Sequence, residues 1–245
     1  MTSEVQQFVL IEEAAELSRF YEENKAVEWL CFDTEFIGER RYLTLLCLIQ
    51  VGTVNGFYMI DALKIKDLQP FFKLIEDPNI LKITHAGDND YRLLNAVGGV
   101  VPKNVFDIQL AAGFVGYKYP VSFRKLVGNE LGIHLAKSYT VADWEARPLA
   151  AKALKYALED VLYLYPIYER IMQKLQELNR VDWVAEENLV WEKAETYELH
   201  PYREALKGSL IKNLKPQQQA FLLRLYVWRD EEARRKNYSK EMILP

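Results

Sequence analysis

Cysteine is almost missing from this chain: Cys31 and Cys47 are the two in 245 residues. Both fall inside apolar runs, which excludes a disulfide framework and reads as a pair of reduced, buried thiols. Histidine is nearly as scarce, with three. No cluster of Cys and His has the spacing of a zinc site. Long apolar runs are lacking too, so no stretch approaches a membrane span. The N-terminus, MTSEVQQFVLIEE, has neither a basic leader nor a continuous apolar core, and no signal peptide is expected. Internal repeats and low-complexity segments are absent. The expectation is a soluble, cytoplasmic protein with no membrane partner.

What remains is ordinary bulk with an uneven charge. Half the residues are hydrophobic and 27% are charged. The length suits one sizeable domain with an appendage, or two small domains. The net charge of −4 hides an asymmetry, because residues 201–245 hold 10 of the 31 basic residues but 5 of the 35 acidic ones. A basic tail on an acidic body is compatible with a nucleic-acid partner, and equally with a solvated helix face.

Val27 to Phe36 (VEWLCFDTEF) reads as a buried strand carrying two acids near its end. Side chains alternate across a strand, so Asp33 and Glu35 share one face. Tyr42 to Val51 and Phe57 to Asp61 follow as strands after short polar turns, which predicts an antiparallel meander. Strand and helix then alternate: ILKIT at 80–84, helix over 89–97 with Asp88 as its N-cap, VFD at 105–107, helix over 108–115. Residues 121–148 are irregular with helical pieces. A helix spans 149–164, Pro166 kinks or interrupts it before 167–178, another covers 182–196, and a last one runs from Pro216 to Lys236. The class is α/β: a mixed sheet, meander first and parallel strands after, flanked by helices, with a helical C-terminal extension.

Ligands gather at the carboxyl ends of strands in such folds. Asp33 and Glu35 lie at one such end, Asp88 and Asp90 follow ILKIT, and Asp107 closes VFD. Asp160 lies on the 149–164 helix, four residues after Tyr156 and on the same face. Acids from unrelated positions suggest oxygen ligation of Mg²⁺ or Mn²⁺. Two such ions roughly 3.5–4 Å apart are the machinery of in-line phosphodiester hydrolysis.

Four segments then act as a set: FDTEF at 32–36, HAGDNDYRLL at 85–94, VFDIQLAAGFVGY at 105–117, and DWEARPLAAKALKYALEDVLYLYPIYERI at 143–171. In order and spacing they resemble the DEDDy subgroup of 3′–5′ exonucleases, and within it the ribonuclease D family. The resemblance implies a ribonuclease H-like fold over residues 1–178, a connecting helix at 179–204, and at 205–245 the opening of a helical nucleic-acid-binding HRDC module. That match stops after one long helix, so the tail either packs back on the nuclease or is cut short. The family pattern selects Asp90 over Asp88. It makes Asp33, Glu35, Asp90 and Asp160 ligands of two divalent ions, and Tyr156 the residue that orients the attacking water.

The implied activity is metal-dependent exoribonuclease action on RNA with a free 3′ end, tRNA precursors included, releasing 5′-nucleoside monophosphates. A DNA exonuclease of the same subgroup, or a binding module without turnover, are the alternatives. Thr34, Phe36, His85, Trp144 and Arg147 are candidates for touching substrate. For His85 a structural hydrogen bond competes with that role, and for Trp144 and Arg147 the locking of an irregular loop does. Asp61 and Asp107 read as turn or cap residues. Arg234, Arg235 and Lys236 read as a helix end or a phosphate contact.

Overall fold

The run from Trp29 to Ile37 is apolar on both faces because both faces are covered, the pattern of a strand at the centre of a layered sheet. The computed structural model describes residues 7–135, 143–207 and 209–244. Its sheet contains β1 (Phe8–Ile11), β2 (Trp29–Ile37), β3 (Leu45–Thr53), β4 (Gly56–Asp61), β5 (Leu81–Thr84) and β6 (Val105–Asp107), in the order β1-β4-β3-β2-β5-β6. β3 and β4 are antiparallel, while β1 runs parallel to β4, and β5 runs parallel to both β2 and β6. The mixed sheet and its flanking helices are those expected.

The helices of the first body are α1 (Ala14–Asn24), α2 (Gln69–Glu76), α3 (Asp88–Gly98), α4 (Ile108–Phe114), α5 (Phe123–Leu131), α6 (Ala151–Leu162), α7 (Leu164–Glu177) and α8 (Val181–Asn188). Alternation along β2 assigns the layers. Phe32 points to one side, where its ring lies 6.0 Å from both Phe71 of α2 and Tyr91 of α3. Cys31 points to the other, into a core with Ala111 of α4, Leu126 of α5, Val161 of α6 and Ile171 of α7. Asp33 and Glu35 follow Cys31 in register and face the α6 side.

Several boundaries differ from the sequence reading. The strand expected from Tyr42 to Val51 starts at Leu45 and runs on to Thr53, because Tyr42 and Leu43 are engaged by the end of the last long helix. α3 is capped by Gly87, and Asp88 is its first residue, pairing with Arg92 one turn on at 2.5 Å. The long helix breaks at Tyr163, three residues before Pro166, which sits in the first turn of α7 where its missing N–H costs nothing. The helix expected over 182–196 ends at Asn188 and continues as two 3-10 turns. Residues 136–142 of the irregular stretch lie outside the described residues.

A second body holds α9 (Pro201–Lys207), α10 (Ser209–Lys212), α11 (Pro216–Lys236) and α12 (Lys240–Ile243), and it takes in residues 37–45 from far upstream. That excursion between β2 and β3 is fastened to the end of α11. Tyr42 donates to Asp230 at 3.0 Å, Arg234 stacks over the Tyr42 ring, and Asn237 accepts from the Leu43 amide at 2.9 Å. The Arg40 carbonyl takes the Ser239 amide at 3.1 Å. Arg235 and Lys236 pair with Glu232 at 2.6 and 2.9 Å. The basic end of α11 is therefore engaged within its own body.

Candidate metal centre

Asp33 and Glu35 leave β2 on the α6 face, and Asp160 comes down from α6 to meet them. One carboxylate oxygen from each of the three lies within 4.8 Å of the others. Tyr156, one turn before Asp160, donates its phenol hydrogen to the Asp160 carboxylate. Trp144 is buried with its ring 6.4 Å from that of Tyr156, so it walls the phenol in.

Asp90 arrives from a different direction and stands outside the 4.8 Å group. Thr34 faces the opposite side of β2 from Asp33, and its hydroxyl donates to the buried Asp90 carboxylate. Asp90 thus reaches around the strand end from α3. The turn that launches α3 is tightly built. Ala86 is held at a φ of 59°, and a Cβ on Gly87 would stand 2.6 Å from the Thr84 hydroxyl and 2.7 Å from the Tyr91 ring. Only glycine fits there without displacement. Asp107 anchors the turn: its carboxylate accepts from the amides of Ala86 and Gly87 as well as those of Gln109 and Leu110. The expected cap residue therefore also fixes where Asp90 stands.

The four acids are held against their own charge. Burial and the charges of Asp90, Asp160 and Glu35 push Asp33 well above the usual carboxylate range. Burial, then Asp160 and Asp90, push Glu35 up to about 8. Burial lifts Asp160 to about 7 against the opposing bond from Tyr156, and Asp90 to about 6 against the bond from Thr34. The strongest charges acting on Asp33 and Glu35 are other carboxylates of the set. An acid-only donor set of this kind fits a hard divalent cation, whose charge would reverse these shifts. Tyr156 is pushed up as well, by burial and then by the three acids, so it remains a neutral phenol at any working pH.

The remaining candidates have other work. All five guanidinium hydrogens of Arg147 are used: Asp61 receives Nε at 2.5 Å and Nη2 at 2.8 Å, and the carbonyls of Trp144, Ala146 and Cys47 take the rest. No donor is left for a phosphate, and Arg147 locks the loop before α6 to the end of β4. Replacing Arg147 with Ala strands the buried Asp61 charge, so a loss of about 3–5 kcal/mol in chemical denaturation is expected. A phosphate contact would instead cost activity at unchanged stability. His85 has its Nε2 3.0 Å from the Val121 carbonyl and its ring against Phe123, which ties β5 to the segment before α5. Thr34 spends its hydroxyl on Asp90, and Trp144 is buried behind Tyr156. Phe36, just past Glu35, is the exposed one of the five.

A mixed sheet with helices on both faces and an all-carboxylate cluster at the end of its central strand defines an α/β protein of ribonuclease H-like type. The chain belongs to the 3′–5′ exonuclease family, whose model matches residues 8–176. Among curated relatives, ribonuclease D of Bartonella henselae is 35% identical over 218 residues, covering 89% of this chain and 53% of that protein. Among solved structures, Escherichia coli RNase D, an exoribonuclease involved in structured RNA processing, aligns with a TM-score of 0.90 at 29% identity, covering 97% of this chain and 64% of that one. Brucella melitensis NrnC with bound Mg²⁺ aligns at 0.64 and 25% identity, covering 77% and 91%. The chain spans 53–56% of the length of the first two curated relatives it matches.

Proposed function

We propose that this chain is a metal-dependent 3′–5′ exoribonuclease. Its substrate is RNA with a free 3′ end, tRNA precursors among them, and it works in the cytoplasm. Asp33, Glu35, Asp90 and Asp160 would hold two divalent ions, Mg²⁺ or Mn²⁺. The observation that carries the reading is the convergence of Asp33, Glu35 and Asp160 within 4.8 Å, with every strong neighbouring charge of the same sign. The likeness to ribonuclease D relatives supports RNA as the substrate class. The Mg²⁺ bound by NrnC supports the choice of ion.

Held by these four acids, divalent ions would supply Lewis acidity for in-line displacement at phosphorus. The chain's own residues do the rest. Water adds to phosphorus, the bond to the leaving 3′ oxygen breaks, and that oxygen takes a proton, so the products are a 5′-monophosphate and an RNA shorter by one nucleotide. Tyr156 keeps its proton, being too weak an acid to ionise, and commits that O–H to a hydrogen bond with Asp160. Its oxygen is therefore left as an acceptor that orients the attacking water. Tyr156→Phe should lower kcat about 10²-fold through misorientation, with KM for an oligoribonucleotide and Mn²⁺ affinity little changed.

RNA labelled at either end, incubated with protein and Mg²⁺ or Mn²⁺, tests the whole reading. A 3′ label should appear at once as mononucleotide, while a 5′ label shortens stepwise. Early release of the 5′ label, preference for DNA of the same sequence, or no product at all would overturn it.

A further inference from the structure

Gln50 is a fully buried polar side chain whose amide nitrogen and carbonyl oxygen have no hydrogen-bond partner among the described residues. The buried Asn24 shows the usual arrangement. Its amide donates to the Phe20 carbonyl at 2.8 Å, and its oxygen accepts from Thr53 at 2.7 Å. An unpaired carboxamide in an apolar strand interior is costly and calls for a cause.

Its place in the sheet supplies one. On β3, Gln50 lies opposite Met59 of β4, and Gly52 lies opposite Phe57. A Cβ on Gly52 would stand 3.7 Å from the Val161 carbonyl, so this side of β3 faces α6. Gln50, two residues earlier, faces the same way. β2 and β3 are neighbours joined by residues 38–44, too few for a parallel crossover, so they run antiparallel. Cys31 of β2 and Gly52 of β3 line one cavity of about 560 Å³ together with Val161. Two residues further toward the acid cluster, β2 presents Asp33 and β3 presents Gln50. Residues on one face of neighbouring strands stand roughly 4.5–5.5 Å apart when directly opposed and about 7–8 Å on the diagonal, both within reach of long side chains.

We propose that Gln50 is a positioning residue for Asp33. The Gln50 amide, unpaired beside the acid cluster, would gain its partner when a divalent ion draws the Asp33 carboxylate into place, its N–H then donating to an Asp33 oxygen and holding that acid on the ion. The proposal rests on the reading of the cluster as a metal centre. Groups that orient ligating carboxylates typically change metal affinity or activity 10- to 100-fold when removed.

Gln50→Leu and Gln50→Met keep the volume and remove the amide. In both, the metal-free melting temperature should hold or rise, because an unpaired polar group has been taken out of the core. The Kd for Mn²⁺ from isothermal titration should rise 10- to 100-fold, and kcat on an RNA oligonucleotide should fall by a similar factor, with KM within about twofold. Wild-type Mn²⁺ affinity in either variant, or loss of folding in both, overturns the proposal and makes Gln50 structural. An Asp33→Asn control separates the two readings: if it too binds Mn²⁺ as tightly as wild type, the metal centre itself is misassigned.

Discussion

Replacing Asp33 with Asn should remove the proposed RNA hydrolysis, by at least about 10³-fold, in a protein that stays folded. Asparagine keeps the shape of the side chain and deletes one negative charge from the middle of the cluster. A carboxylate that holds catalytic cations contributes several kcal/mol of transition-state stabilisation, and about 4 kcal/mol is a factor of 10³. The stability effect runs the other way. Asp33 feels Asp90, Asp160 and Glu35 at once, so without metal its neutral replacement relieves repulsion and should melt higher than wild type. Rate assays in Mn²⁺ paired with melting curves in chelator read both effects. A wild-type rate in the variant would mean that the cluster is not the reaction centre.

Metal-free protein should lose stability as pH rises from 5 to 8, and Mn²⁺ or Mg²⁺ should restore it at the alkaline end. Asp90, Asp160 and Glu35 sit at about 6, 7 and 8, whereas unfolded carboxylates titrate near 4. Between these limits the folded state holds protons that the unfolded chain has released. Unfolding therefore releases protons, and raising the pH favours it. The contribution is fully present below about pH 4, fades as pH climbs through 6 to 8, and changes little beyond. A fall in Tm on the order of 5–10 °C between pH 5 and 8 corresponds to a few kcal/mol for a chain of this size. Saturating divalent metal should recover most of it at pH 8 and little at pH 5, where protons compete for the same oxygens. A metal-free Tm that is flat across this range and unmoved by either cation would rule out a ligand set.

Local periodicity made much of this readable in advance. Alternation along FDTEF put Asp33 and Glu35 on one face, and the i, i+4 spacing put Tyr156 beside Asp160; both pairings appear in the structure. Asp90 was not separable from Asp88 by residue type, since both open α3. What separates them is side: Asp88 pairs with Arg92 on the surface, whereas Asp90 is buried against Thr34, 56 residues away. A contact of that range leaves no periodic trace. The same holds for the Arg147–Asp61 pair, which turned a candidate phosphate contact into a loop lock. Asp107 read correctly as a cap, but its hold on the Ala86–Gly87 turn depends on how β5 and β6 align. Gln50 did carry a signal, a lone amide in the run LCLIQVGT, and a search for polar residues inside apolar strands would have found it.

The fastening of residues 37–45 to the end of α11 bears on how this protein can be taken apart. The C-terminal body is discontinuous in sequence, so it is no cassette. A cut at residue 197 would leave Tyr42 without Asp230 and Arg234, on a segment that begins two residues after Glu35. Grafting the tail onto another α/β core would have to carry this loop along with it. By the same logic, an insertion between Gly38 and Thr44 should register first as a defect of the distant tail.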